Sequence, residues 1–367
     1  MKIFFDTIIF SLQKSGGISV VYYELLKRLL NDEDIQLKLL EYKNKNIFRK
    51  ELNIPPELFL KKSWSKIPII IQRFLNPYFS DEKGIFHSSY YRITKNPNIV
   101  NITTVHDFTY EYFRKGLPKI IHRYQKNVAL KNSQRIICVS QNTKKDLMKF
   151  HPEISESRIK VIYNGVDQVY KIIPKENTTD ISHLIPFSQG DYILYVGDRK
   201  SEYKNFRIAV EACSLINMPL LIVGGGVLSS SEKIYLEAKL GKNNYHSLVG
   251  IGNETLNLLY NQAFCLLYPS SYEGFGIPII EAQKAGCPVI CNNYASIPEI
   301  AGNGTILLDK IDSVSIAESI NLLHSNSAFK DNLIQNGIVN SNRFSWDKCY
   351  QQTKELYTEV YNNYFIK

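Results

Sequence analysis

Both halves of the chain repeat one pattern, in which short apolar runs ending in turn residues alternate with longer amphipathic segments. The strand-like runs cover residues 2–5, 99–105, 135–140, 159–163, 192–197, 219–226, 265–270 and 288–292. Helical periodicity covers residues 19–30, 141–150, 205–216 and 255–263, among others. Strands that alternate with helices pair in parallel through crossover connections. The sequence therefore predicts an α/β fold with parallel sheets.

The length of 367 residues exceeds what one hydrophobic core usually organises, so two domains are expected. The polar segment 170–190 contains two prolines and no regular period, which is typical of a hinge. We expect a first domain over 1–170 and a second over 171–344. In open parallel sheets, ligands bind beyond the carboxyl ends of the strands, so the chemistry is expected there.

Charge is concentrated in the first half of the chain. The net charge is +9 overall, but +12 for residues 1–170 and −3 for the remainder. Such a basic half could meet nucleic acid, an acidic substrate or an anionic membrane, but no nucleic-acid-binding module is recognisable. Segment 49–77 mixes cations with apolar side chains, which suits either a lipid surface or an ordinary solvated helix and loop. The residues concerned are Arg49, Lys50, Lys61, Lys62, Trp64, Lys66 and Arg73.

The cysteines and the apolar segments indicate a reduced, cytoplasmic setting. All six cysteines are outside any C-x-x-C or Cys/His zinc spacing, and most lie in apolar runs, as buried thiols do. The apolar start is interrupted by Asp6 and lacks the features of a signal peptide. No apolar run approaches the roughly 18 residues of a membrane span. We expect a cytoplasmic protein, with peripheral contact at the inner membrane face as an open alternative.

Two loops carry residues suited to an anion. Gly16 and Gly17 directly precede an amphipathic helix, where backbone amides and the helix dipole favour negative charge. Arg199 and Lys204 follow the strand at 192–197 and precede a helix, and together they could hold a diphosphate, with Lys200 as a neighbour able to replace either. The alternatives are a simple tight turn and solvated loop cations.

A third loop carries two glutamates around glycines. Glu273 follows the strand at 265–270, and Glu281 falls in the first turn of a helix predicted over 278–285. Between them lie the backbone amides of Gly274, Phe275 and Gly276, which can face an anion while carboxylates accept hydrogen bonds from sugar hydroxyls. Helix capping explains Glu281 equally well, but it does not explain Glu273 beside the glycines.

The stretch YEGFGIPIIEAQKAGCPVI, with seven residues between its two glutamates, resembles the E-x7-E signature of retaining glycosyltransferases of the GT-B fold, family 4. Further stretches resemble that group in the same order and extend the likeness over nearly the whole chain. They are FSLQKSGGIS, TVHDFTYEYF, ICVSQNTKKDL, VIYNGVD, YVGDRKSEYKN, LVGIGNETLNLLYNQAFCLLYPS and FSWDKCYQQTKELY.

The resemblance implies two Rossmann-like domains whose parallel sheets face a central cleft, with residues 345–367 crossing back onto the first domain. The second domain would hold a nucleotide-diphosphate sugar and the first domain the acceptor. By analogy, Glu281 would bind the ribose hydroxyls, and Glu273 the hydroxyls of the donor sugar. Arg199 and Lys204 would neutralise the departing diphosphate.

Further site residues also follow from the resemblance. His106 matches the family histidine near the donor sugar, and the amides of Gly16 and Gly17 would assist the diphosphate. The loops at Gly224, Val249, Gly250 and Ile251 fall where the family holds the base. Because the spacing from Gly197 to Lys204 is one residue longer than usual, either Arg199 or Lys200 occupies the family's arginine position, and Arg199 is preferred.

The resemblance also suggests what is transferred. No strand-end D-x-D is present, since Asp32 and Asp34 follow a helix in a segment that we interpret as solvated, so no metal or other cofactor is expected. A GDP-linked mannose or related sugar is the favoured donor, with a UDP-sugar as the alternative, and a lipid-linked saccharide of bacterial surface polysaccharide synthesis is the expected acceptor. An epimerase or a nucleic-acid-binding protein remains a rival; a phosphorylase lacks its pyridoxal phosphate lysine context.

Overall fold

The computed structural model describes residues 1–60, 67–79, 83–174, 176 and 180–366. Within them the chain divides into two compact units, the first comprising Met1–Asn164 with Trp346–Lys367 and the second Gly165–Ser345. Four residues of the predicted lipid-contacting segment, Lys61, Lys62, Trp64 and Lys66, lie outside the described residues. No described helix combines the length and the apolar character needed to cross a bilayer.

The first unit is built on a parallel sheet of six described strands in the order β2-β1-β3-β4-β5-β6. All seven residues of β4 are buried, because helices cover both faces of a parallel sheet and leave no solvated side. The strands are β1 (Lys2–Asp6), β2 (Gln36–Leu40), β3 (Gly84–Ser88), β4 (Ile99–Val105), β5 (Arg135–Cys138) and β6 (Ile159–Val161). The helices are α1 (Ile9–Leu12), α2 (Gly17–Leu29), α3 (Ile47–Glu51), α4 (Ile69–Gln72), α5 (Thr109–Phe113), α6 (Gly116–Asn132) and α7 (Gln141–Phe150).

The second unit repeats the arrangement with a second parallel sheet, also of six described strands, in the order β12-β11-β10-β7-β8-β9. Its strands are β7 (Ile193–Val196), β8 (Leu220–Val223), β9 (Tyr245–Leu248), β10 (Cys265–Tyr268), β11 (Val289–Asn292) and β12 (Ile306–Leu308). Its helices are α8 (Phe206–Leu215), α9 (Ser230–Leu240), α10 (Asn253–Gln262), α11 (Ile277–Lys284), α12 (Ile297–Ala301), α13 (Ser313–Ser325) and α14 (Ser327–Ser341). Both sheets confirm the predicted parallel α/β architecture.

The last helix, α15 (Trp346–Phe365), belongs to the first unit. Its buried Tyr357 contributes to the same apolar cluster as strand β1. On its outer side, the Lys354 ammonium pairs with the Asp32 carboxylate at 2.8 Å and with the Asp34 carboxylate at 2.7 Å, and the Tyr350 hydroxyl donates to Asp32. The prediction of a solvated segment is therefore wrong for Asp32, whose side chain is 9% exposed, whereas Asp34 is 77% exposed.

The unit boundary falls six residues earlier than predicted. Residues 165–170 lie with the second unit because Tyr170 is buried there, with its ring edge-on to that of Tyr260 at 5.9 Å. Within the predicted polar hinge, Ile181 and Ile185 are also buried. These apolar side chains fix the start of the second unit although the segment's overall composition is polar.

Candidate functional site

In the second unit the sheet order brings the predicted donor-binding residues to one edge. Strands β10, β7, β8 and β9 are consecutive neighbours and all parallel, so the loops that follow them lie side by side. Glu273 follows β10, Arg199 and Lys204 follow β7, and Gly224 follows β8. The segment Val249, Gly250 and Ile251 follows β9.

Lys204 and Glu273 form an ion pair across two of these loops. The Nζ–Oε1 distance is 2.5 Å, and both side chains are largely buried. Lys204 ends a 3-10 turn, and Asn205 after it adopts a left-handed conformation with φ of 52°. The side-chain amide (Nδ2) of Asn205 donates to the Pro269 carbonyl at 2.8 Å and to the Ser271 hydroxyl at 2.7 Å. The two loops are thus joined beside the ion pair, which fixes the position of a cation and a carboxylate at the sheet edge.

Glu281 lies deeper in the same unit, on helix α11. The helix starts at Ile277, after Gly276 in a left-handed conformation, so Glu281 is the fifth helical residue. The prediction that Glu281 lies in the first turn is therefore wrong, because the helix begins one residue earlier than Pro278. With no acidic side chain in that turn, capping does not explain this glutamate.

The Glu281 carboxyl group is held by two tyrosine hydroxyls. Tyr260 donates to Glu281 Oε2 at 3.0 Å, and Tyr170 also hydrogen-bonds to the carboxyl. Burial raises the pKa of Glu281 to about 7, although the two hydrogen bonds act in the opposite direction. The residue as a whole keeps partial exposure, and the two tyrosines set the orientation of its carboxyl group.

Arg199 has partners other than those of Lys204. Its Nε donates to Glu232 at 2.7 Å and its Nη1 donates to the Gly224 carbonyl at 2.7 Å, while the buried Nη2 has no hydrogen-bond partner among the described residues. A Cβ on Gly225 would lie 2.7 Å from Arg199 Nη1, so the glycine lets the loop approach the guanidinium. Neighbouring Lys200 is exposed. The structure therefore places the Arg199 guanidinium against the β8 loop and the start of α9.

Glu232 itself was not singled out from the sequence. Burial alone would raise the pKa of Glu232, but the Ser229 amide and hydroxyl and the Arg199 guanidinium lower it to about 2. The S-x-x-E spacing from Ser229 signals its capping box, which the structure contains. The ion pair to Arg199 has no comparable sequence signal, and neither do the Tyr170 and Tyr260 contacts to Glu281.

Ser296 contacts the backbone of the loop between Glu273 and helix α11. The Ser296 hydroxyl lies 2.9 Å from the Glu273 carbonyl oxygen and 3.0 Å from that of Phe275. Gly274 and Phe275 have further contacts of their own. Their predicted role as amide donors to an anion stays a prediction.

In the first unit, His106 and the glycine pair are linked through Tyr22. Helix α2 begins at Gly17 and carries Tyr22, whose hydroxyl lies 3.4 Å from His106 Nε2. Burial lowers the pKa of His106 to about 4; the Asp107 carboxylate opposes this effect and the Lys126 charge adds to it. His106 is therefore neutral at pH 7. It lines a pocket of about 240 Å³ that also includes Gln13, Tyr90, Tyr110 and His122.

No group of three or more His, Cys, Asp or Glu side chains with a metal-binding arrangement occurs in the part of the chain that the structure describes. All six cysteines are unpaired thiols, five of them buried. The expectation of a metal-independent site stays a prediction. The loops and the helix that follow β7 and β10 thus carry an ammonium group paired with the Glu273 carboxylate and a second carboxyl group, Glu281, held by tyrosines. Such groups can bind an anion and hydroxyls.

Comparison with known proteins agrees with this arrangement in both units. A family model described as "Glycosyltransferase Family 4" matches residues 15–169, and one described as "Glycosyl transferases group 1" matches residues 178–339. The O-antigen chain mannosyltransferase B of Escherichia coli is 27% identical, over 70% of this chain and 69% of its own. The E. coli UDP-Gal:alpha-D-GlcNAc-diphosphoundecaprenol alpha-1,3-galactosyltransferase is 26% identical, over 65% of this chain and 60% of its own.

The fold is also shared with solved structures. The crystal structure of Anabaena Alr3699/HepE in complex with UDP-glucose aligns with a TM-score of 0.75 at 18% identity, covering 98% of this chain and all of that one. At this identity the similarity concerns the fold of the whole chain, including the helix that returns to the first unit.

Proposed function

Because the chain is a glycosyltransferase of the GT-B fold, we propose that it moves a sugar from a nucleotide-diphosphate donor to a saccharide acceptor with retention of anomeric configuration. The observation that carries this proposal is the Lys204–Glu273 ion pair in the loops that follow β7 and β10, with the tyrosine-held Glu281 on the helix that follows the same β10 loop. A nucleotide sugar needs both kinds of partner, cationic for the diphosphate and carboxylate for the hydroxyls.

The proposed roles follow from these contacts. Lys204 binds the diphosphate and stabilises the negative charge that grows on it as the bond from the anomeric carbon to phosphate oxygen breaks. Glu273 accepts hydrogen bonds from the donor sugar and Glu281 from the ribose. Arg199 holds the glycine loop with Nη1 and Glu232 with Nε, and contributes its positive charge through Nη2. The cations at the sheet edge take the place that a metal ion has in other transferases.

On the acceptor side, an acceptor hydroxyl forms the new bond to the anomeric carbon on the face that the diphosphate leaves, and its proton passes to the departing phosphate. We assign no side chain as a covalent nucleophile. His106, neutral at pH 7, lies in the first-unit pocket and is the proposed hydrogen-bonding partner of the reacting sugar.

A GDP-linked mannose or related sugar is our favoured donor and a lipid-linked saccharide our favoured acceptor. The mannosyltransferase relative supports the donor sugar, and the galactosyltransferase relative acts on a diphosphoundecaprenol-linked acceptor. The same galactosyltransferase and the UDP-glucose complex favour a UDP-sugar as the second candidate. With either donor, the proposed role is in surface polysaccharide synthesis, as the names of the two relatives suggest.

Incubating the protein with GDP-, UDP- and ADP-sugars and with acceptor, and measuring nucleotide release and the anomeric configuration of the product, tests the proposal. Release from one donor class, with a product of the donor's own anomeric configuration, is expected. An inverted product would contradict retention, and no release from any donor would contradict the proposed transfer.

A further inference from the structure

Helix α6 in the first unit exposes an apolar stripe on the side opposite its buried face. Leu117, Ile120 and Tyr124 are 66%, 64% and 65% exposed, and their spacing of three and four residues places them on one face. The other face buries His122, Gln125, Lys126, Ala129 and Leu130 in the unit. The stripe is therefore not needed for the core, and large apolar side chains in a row at a surface mark an interaction site.

The same helix is cationic and carries no carboxylate. Its sequence from Gly116 to Asn132 contains Lys119, Arg123, Lys126 and Lys131 and no Asp or Glu. Lys126 is buried in a salt bridge to Glu111 and does not contribute to the surface. Arg123 and Lys131 are exposed, and Arg114 and Lys115 just before the helix are exposed as well. Exposed cations thus border the apolar stripe.

The apolar stripe and the cations that border it form one surface on α6. We call Leu117, Ile120 and Tyr124 with the cations Lys115 and Arg123 the α6 face.

We infer that the α6 face docks on an anionic lipid bilayer, with helix α6 lying in the plane of the interface. A helix fixed to its domain with exposed Leu, Ile and Tyr flanked by Lys and Arg matches the chemistry of a headgroup layer: apolar side chains enter the boundary of the acyl chains and the cations meet lipid phosphates. A second copy of this chain fits less well, because a symmetric contact would bring two carboxylate-free, cationic helices together.

The position of the face also bears on the proposed transfer, and this step rests on the proposed function. His122 of the same helix stacks on Tyr110 with ring centroids 3.9 Å apart, and both line the pocket that contains His106. Helix α6 thus has one side on the acceptor-side pocket and the other on the lipid surface. A lipid-borne saccharide would enter that pocket from the bilayer on which the helix lies.

Vesicle co-sedimentation of the full chain, without donor or acceptor, tests the docking separately from catalysis. We expect binding to vesicles in which about a third of the lipid is phosphatidylglycerol, and at least about tenfold weaker binding to phosphatidylcholine alone. The variant Leu117→Ser/Ile120→Ser/Tyr124→Ser should lose about tenfold in binding to the anionic vesicles. Lys115→Gln/Arg123→Gln, which leaves the apolar stripe intact, should lose about fivefold for each cation removed.

The matched control is Leu215→Ser/Val227→Ser/Ile234→Ser in the second unit, where the residues replaced are similarly exposed at 60%, 76% and 69%. It should bind as the unaltered chain does. Equal binding to both vesicle compositions, or equal losses in the control and the stripe variant, would overturn the inference. So would a self-associated chain that the stripe variant converts to monomer, since the face would then belong to a second copy.

Discussion

Lys204 and Glu273, which are 69 residues apart in the chain, form an ion pair of 2.5 Å at the carboxyl edge of the second sheet. In the proposed function, the Lys204 ammonium group binds the diphosphate and the Glu273 carboxylate accepts hydrogen bonds from the donor sugar. The ion pair would hold both groups in place before the donor binds.

Replacing Lys204 by Ala should lower the rate constant for nucleotide release by about 10²–10³-fold, the usual effect of removing one group that stabilises developing charge. Lys200→Ala is the matched control, because Lys200 is an exposed cation of the same loop. Its effect should stay below about threefold. Single-turnover nucleotide release is measured for both variants. A larger loss in the Lys200 variant would contradict the assignment of the diphosphate to Lys204.

Arg199→Lys should destabilise the second unit by about 2 kcal/mol, because a lysine cannot replace the two charge-assisted hydrogen bonds to Glu232 and the Gly224 carbonyl. The thermal unfolding midpoint measures this. Exposed Arg207 on α8 provides the control, and Arg207→Lys should change stability by less than about 0.5 kcal/mol. An unchanged midpoint in the Arg199 variant together with abolished nucleotide release would mean that the guanidinium acts on the donor alone.

Glu281→Gln should remove a pH dependence of stability. Because burial raises the pKa of Glu281 to about 7, the folded state binds a proton more tightly than the unfolded state does. The contribution of Glu281 to the free energy of unfolding is complete below pH about 4.5 and falls by about 3 kcal/mol as the pH rises to about 7. Urea unfolding at several pH values in this window should show the wild type losing stability relative to the variant as the pH rises. Parallel curves would contradict the raised pKa.

Glu281→Ala addresses binding on the same helix. It should weaken donor affinity by about tenfold, the loss of roughly one charge-assisted hydrogen bond. The change also leaves the buried Tyr260 hydroxyl without its acceptor, which should cost about 1–3 kcal/mol of folding free energy. Calorimetric titration with the nucleotide and thermal unfolding of the same sample compare the two. A loss of stability with unchanged donor affinity would show that Glu281 serves the fold rather than the ligand.

Gly17→Ala should leave the fold intact and impair turnover. A Cβ at Gly17 meets no atom within 4 Å, so stability should change by less than about 0.5 kcal/mol. Nucleotide release should fall about tenfold if the amides at the start of α2 approach the diphosphate as proposed. Gly304→Ala should instead destabilise the second unit, because the new Cβ would lie 2.3 Å from Gly337 Cα. Unchanged turnover in the Gly17 variant would contradict the proposed role of the glycine pair in binding the diphosphate.

The sequence predicted those elements whose patterns are local. Strand β10, helix α11 and the glycines around them follow from apolar runs and turn residues, and the start of α11 differed by one residue because Ile277 and Pro278 both suit a first turn. Strands β2, β3, β9 and β12 were not predicted. Fully buried β3 is only five residues long, and β9 is a half-buried edge strand containing His246 and Ser247.

The contacts within the site could not be predicted because they join distant segments. Nothing near Arg199 in the chain indicates that its guanidinium turns to Glu232 and the β8 loop. Likewise, Tyr170 lies in a segment of polar composition, yet its hydroxyl orients Glu281 from 111 residues away. Such pairs depend on the paths of the loops in the folded sheet, and the local sequence does not determine these paths.

A crystal structure of the protein soaked with GDP-mannose or UDP-glucose tests the central claim most directly. We expect the diphosphate within hydrogen-bonding distance of Lys204 Nζ, the ribose hydroxyls on the Glu281 carboxyl group and the sugar against Glu273. A nucleotide sugar bound elsewhere on the chain, with no contact to Lys204 or to either glutamate, would contradict the account.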